Sequence, residues 1–235
     1  MSEQILEALM ELFAIIARPE STSKNKDSVF ESFQVRRKVV ASFLKRQLNQ
    51  ELVNKYLDLF DKYYSEHKEL RIVRDSVKIL KIIDKYINKE LTQKQKIIVL
   101  VQLFEFINSD TNVITDQEFE FIETVAQSFY ISDEEYKLIR DFTLTGFDQI
   151  PDNPNILLID NNKDFDNRKT KHLYSEFLVG QLRILNVVST NIFFLKYHGI
   201  NEMYVNGQLL QQDRAYVLHT GSSIRNHHVK PIYYS

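Results

Sequence analysis

The front of the chain alternates apolar and polar residues at the three-to-four spacing of amphipathic helices. Over residues 4–17, Ile5, Leu6, Leu9, Leu12, Phe13 and Ile16 fall on one face, and Pro19 stops the run. A polar loop at 20–27 leads to a second helix over 29–48, with Val29, Phe33, Val40, Phe43 and Leu44 inward. Asn49 suits the N-cap of a third, 50–64, whose inner face is Val53, Tyr56, Leu57 and Phe60. A fourth covers 70–87 through Val73, Val77, Leu80, Ile83 and Ile87. Thr92 caps the next, which runs through Ile97, Leu100, Val101, Phe104 and Ile107. After a loop at 108–113, Thr115 and Glu118 have the spacing of a capping box and open a helix to residue 129. Ser132 with Glu135 repeats that spacing and opens the last helix, to Leu144. About seven helices with short connections predict a bundle.

Past Thr145 the pattern shortens to runs of strand length. Ile156-Leu-Leu-Ile159 reads as a buried strand closed by the polar loop 160–167. Strands follow at 172–177, 181–187 and 192–197, then a hairpin over 203–210 turning on Asn206-Gly207. Residues 214–218, 222–225 and 231–234 complete the series. Strands at this spacing without intervening helices predict a small sandwich or barrel. The fold class is therefore multi-domain, α then β: a helical bundle at 1–145, a linker at 146–155 carrying Pro151 and Pro154, and a β-rich domain at 156–235.

Glycine usage reinforces that division. All five Gly lie at or beyond Gly146, as do three of the four Pro, and Gly is costly inside helices but useful in turns. The net charge of −2 draws the chain neither to nucleic acid nor to anionic lipid. Cys is absent, which removes disulfides, thiolate metal sites and cysteine nucleophiles and suits a reducing compartment. The start Met1-Ser-Glu-Gln4 lacks the basic opening of a secretory signal. The apolar stretch 9–17 falls far short of the roughly 20 residues that span a bilayer. These features predict a cytoplasmic chain that meets a membrane only through a larger protein.

The helix–turn–helix at 39–60 is echoed about 80 residues later at 122–142, each half preceded by an apolar helix and a polar loop. With Phe104-Glu-Phe-Ile-Asn-Ser-Asp-Thr-Asn-Val-Ile-Thr-Asp-Gln-Glu118 and Ile131-Ser-Asp-Glu-Glu135, this pseudo-repeat resembles the TerB-like family associated with tellurite resistance. That family has two halves, each with a helix ending in an Asp-Gly-like loop before a helix opening with Glu. Here Thr111 stands in place of the Gly, and Arg36-Arg37 stand where the first half would have its helix-opening Glu. The resemblance implies a divalent cation held by Asp110, Asn112 and Glu118, oxygen ligands suited to a hard ion. The same residues equally serve a turn and a capping box.

In the rear half, Phe193-Phe-Leu-Lys-Tyr-His-Gly199, Tyr204-Val-Asn-Gly-Gln-Leu-Leu210 and Tyr216-Val-Leu-His-Thr-Gly-Ser-Ser-Ile-Arg225 resemble a forkhead-associated (FHA-like) sandwich. The loop set by which phosphothreonine-binding members hold phosphate is not present in order. A TerB-like bundle before an FHA-like module is similar to the N-terminal part of large bacterial ABC-transporter-type ATP-binding proteins. That implies a non-catalytic regulatory or interaction region, the bundle docking or sensing, with a protein partner or downstream ATPase domain and any ATPase chemistry outside this chain. The alternative is a free-standing metal-responsive stress protein.

Other constellations read as surface. The loop 160–167 holds three Asp and three Asn without the Gly and Glu of a calcium loop. His227-His228 with Arg225 and Lys230 suggest an exposed turn, and Arg183, Arg214 and Arg225 a solvated surface. No phosphate-cradling glycine loop, nucleophile elbow or His-Glu-x-x-His pair occurs, so no cofactor is expected. A hydrolase built from His and Asp of the β-domain would need a pocket lined by several of them.

Overall fold

The structure, a computed structural model, describes residues 2–17, 26–45, 48–66, 80–109, 113–166, 169–227 and 231–234, with the side chains of 26–28 excepted. A helical region is followed by a β region of two sheets, and the chain divides into two compact units, Met1–Tyr136 and Lys137–Ser235.

In the first unit, α1 (Glu3–Ile16), α2 (Lys26–Lys45) and α3 (Gln50–Glu66) precede a π-helical turn, α4 (Ile83–Ile87), that continues into α5 (Asn88–Glu90). The expected polar loop 20–27 lies largely, and the start of the 70–87 helix wholly, outside the described residues. What is described of that helix winds wider than an α-helix over Ile83–Ile87, a departure that the apolar spacing does not encode. Then come α6 (Gln93–Ile107) and α7 (Asp116–Ser128). The cap anticipated at Thr92 and the capping box anticipated at Thr115 both form, Thr92 as a full capping box with Gln95, and each threonine side chain accepts from the backbone N–H three residues on. Helix α6 is buried on all sides from Val99 to Ile107, which marks it as the central helix of the unit. An aromatic chain ties the others to it: Phe13 stands 5.1 Å from Phe106 and 5.8 Å from Phe43, and Phe60 packs edge-on to Phe106. The last helix, α8 (Asp133–Leu144), contains the boundary between the two units.

The second unit is a two-sheet sandwich. One sheet has the order β2-β1-β3-β4-β7, with β1 Ile156–Asp160, β2 Lys171–Tyr174, β3 Gln181–Val187, β4 Ile192–His198 and β7 Tyr216–Leu218. The other has the order β6-β5-β8-β9, with β5 Tyr204–Val205, β6 Gln208–Leu209, β8 Ser223–Arg225 and β9 Ile232–Tyr233. Residues 146–155 fall inside this unit, and β2 pairs parallel to β1. The β5–β6 hairpin turns on Asn206 and Gly207 with φ of 51° and 82°, the left-handed pair that a tight two-residue turn requires. Ile159, Leu182, Leu195, Tyr197 and Leu218 of the larger sheet meet Val205 and Ile224 of the smaller in one core.

Candidate functional site

The residue with most chemistry in the helical unit is Glu118, at the third position of α7. Its Oε2 accepts from the Thr115 N–H at 2.9 Å and from the Thr115 hydroxyl at 3.2 Å. Its Oε1 accepts from Arg36 Nη2 at 2.5 Å, and both side chains are nearly closed to solvent, 6% and 11% exposed. Arg36 Nη1 donates to the Ile16 carbonyl at the end of α1, and the guanidinium lies 5.6 Å from the Phe106 ring centre. One guanidinium thus serves the orphan carbonyl of one helix end, the carboxylate at the start of another, and the face of a central aromatic ring. Both oxygens of Glu118 are engaged within the chain. Asp110 and Asn112 lie outside the described residues. Among the described residues, no group of three or more His, Asp or Glu side chains is placed to hold a metal ion.

The sequence contained a signal for Arg36 that the helical reading passed over. Phe33, Arg36, Val40 and Phe43 follow the three-to-four spacing of the buried face of α2, so the charge sits in the apolar stripe. Its neighbour Arg37 points elsewhere and makes a two-pronged pair with Asp61 at 2.9–3.0 Å, partly exposed.

In the β unit, Arg183 corrects an expectation. It is fully buried, not on a solvated surface, because Gly146 and the Phe147 ring lie against it. Nε donates to Gln181 Oε1 at 2.6 Å and Nη2 to the Gly146 carbonyl at 3.1 Å, while Nη1 is buried without a hydrogen-bond partner. Burial draws the Arg183 guanidinium down to about 10, opposed by the negative charges of Asp148 and Asp213. Across the ladder its partner is Lys196, also buried, whose Nζ donates to the Thr143 carbonyl at 2.9 Å and the Phe142 carbonyl at 3.3 Å. The Phe147 ring lies 4.5 Å from the Arg183 guanidinium, 5.4 Å from the Lys196 ammonium and 5.0 Å from the His198 ring. Carbonyl oxygens and an aromatic face are among the groups that receive these two buried cations.

Among the described residues the histidines do not gather. His172 Nε2 is 2.8 Å from Asp160 Oδ1, and its ring stacks on Phe165 at 4.6 Å. His198 Nδ1 is 3.0 Å from Asp213 Oδ1 at the exposed surface. In the loop after β1, Asp160 accepts from the Asn162 N–H and Asn162 from the Asp164 N–H, a run of side-chain turns; Asn167 lies outside the described residues. Arg225 is exposed on the outer face of the smaller sheet, 5.8 Å from the Tyr233 ring, and His227 is exposed nearby. His228 and Lys230 lie outside the described residues. No described helix is long and apolar enough to cross a membrane.

In comparison with known proteins, no family model, curated protein or solved structure matches this chain.

Proposed function

We propose that the chain is a non-catalytic interaction region, the helical unit acting as a docking module, within a larger ATP-binding protein whose ATPase chemistry lies elsewhere. The observation that carries this reading is the Arg36–Glu118 pair. The carboxylate that the family resemblance would offer to a cation is already neutralised by a guanidinium of the same chain. A scaffold that supplies its own cation at this point is assembled before any ion arrives, as a docking module requires. The departure of Arg36 from the resemblance and the ion pair it makes are then two sides of one substitution.

The metal-responsive alternative requires Glu118 to leave Arg36 and join Asp110 and Asn112. Thermal melting of the purified chain with calcium, magnesium or zinc separates the two readings. The docking reading expects an unchanged midpoint with each ion. A midpoint raised by one of them and restored to its metal-free value in Asp110→Ala would transfer the case to the metal reading. ATP hydrolysis by the chain alone, above the buffer rate, would remove the non-catalytic part.

A further inference from the structure

Among the described residues the β-sandwich is unequal, five strands facing four. The register locates the uncovered side. Leu157 and Ile159 of β1 pack toward the core between the sheets, and the parallel pairing sets Lys171 and Leu173 of β2 on that same face. No described strand lies beyond β9 to cover them, so Leu173 is 48% exposed and Leu157 only partly buried. With Ile184, Ile232 and Tyr234 they line an open cleft of about 380 Å³, flanked by the edge strands β2 and β9.

Two polar features of the cleft point to what fills it. Asn186 continues the inward alternation of Leu182 and Ile184, and its Oδ1, in the cleft wall, is buried without a hydrogen-bond partner. A buried acceptor of this kind is costly until a donor reaches it. The second feature is the free edge of β9. Tyr234 N–H donates to Ser222 and its carbonyl accepts from Gly221, both on the β8 side. The alternation of an antiparallel ladder therefore turns the N–H and C=O of Tyr233 outward, to the open edge.

We propose that this cleft binds an extended peptide of a partner protein, which adds to β9 as a fifth strand of the smaller sheet. The peptide pairs with the main chain of Tyr233, and its alternate apolar side chains cover Leu157 and Leu173. A donor group of the peptide reaches Asn186 once its amide, whose oxygen is closed to solvent in the free chain, turns toward the cleft. An acidic side chain meets Lys171, the one charged side chain among the described residues that line the cleft. This surface stands apart from the helical docking reading and does not fall with it.

Selection of a random-peptide display library against the full chain is the test, followed by fluorescence anisotropy of the most enriched peptide. The enriched peptides should alternate apolar and polar residues and carry an acid at one inward position. Tyr233→Pro removes an N–H that β8 does not use, so the chain should melt near the wild-type temperature. It should bind the peptide roughly tenfold more weakly, the scale of one lost main-chain hydrogen bond. Lys171→Glu should turn the acidic preference basic, and it decides the matter alone if the proline variant misfolds. Absence of enrichment, or peptides indifferent to both substitutions, would overturn the proposal. So would sedimentation showing that the free chain dimerises and that Tyr233→Pro abolishes the dimer, since the edge would then serve a second copy.

Discussion

Arg36, Arg183 and Lys196 each bury a positive charge, and each is solvated by a different set of groups. Arg36 has a carboxylate, a helix-end carbonyl and a ring; Arg183 has an amide oxygen, a carbonyl and a ring; Lys196 has two carbonyls at the end of α8. Arg183 and Lys196 were readable as lone charges within apolar runs, such as Ile192-Phe-Phe-Leu-Lys-Tyr197, and Arg36 as a charge on the apolar stripe of α2. Their partners were not, because Gly146 and Phe142 lie far from them along the chain. Neutral groups can be stranded in the same way. The Tyr56 hydroxyl is buried without a hydrogen-bond partner, and burial raises its ionisation above the ordinary phenol range. Removing a hydroxyl that makes no bond should help the fold. Tyr56→Phe is expected to stabilise the chain by about 1 kcal/mol in urea denaturation. A loss of stability would mean that the hydroxyl has a partner after all.

The elements were legible where local chemistry writes them and illegible where distant packing does. Capping boxes at Thr92 and Thr115 and the Asn206-Gly207 turn follow from residues within a few positions of one another. The wide turn at Ile83–Ile87 and the parallel pairing of β2 with β1 depend on contacts that no spacing announces. The second half of α8 shows how a strand residue can finish a helix. Lys196 donates to the Phe142 and Thr143 carbonyls in its last turn, where orphan acceptors and the negative end of the helix dipole both favour a cation. Lys196→Met would leave those carbonyls buried and unpaired. The expected cost is about 2 kcal/mol, with hydrogen exchange accelerated in the last turn of α8 before the rest of the sheet. Exchange that speeds uniformly, or not at all, would show that Lys196 does not hold this turn.

Over the whole chain, the glycine-free front and the turn-rich rear correspond to a helical region and a two-sheet region, each with its own core. Apolar periodicity was enough for that division, since a helical stripe and an alternating strand cannot share one pattern. The candidate ion site was less legible. The family resemblance grouped Glu118 with Asp110 and Asn112, which lie outside the described residues, and the fold pairs it with Arg36 of α2. Only the tertiary arrangement could join residues so far apart. The account therefore turns on whether that pair is an energetic unit. The direct measurement is a double-mutant cycle in urea, following helicity in Arg36→Met, Glu118→Gln and the combined variant. Arg36→Met alone should cost about 3–5 kcal/mol by stranding the carboxylate, and the double variant should cost about 2 kcal/mol less than the sum of the singles. Losses that add to within about 0.5 kcal/mol would contradict the claim that this guanidinium closes the site.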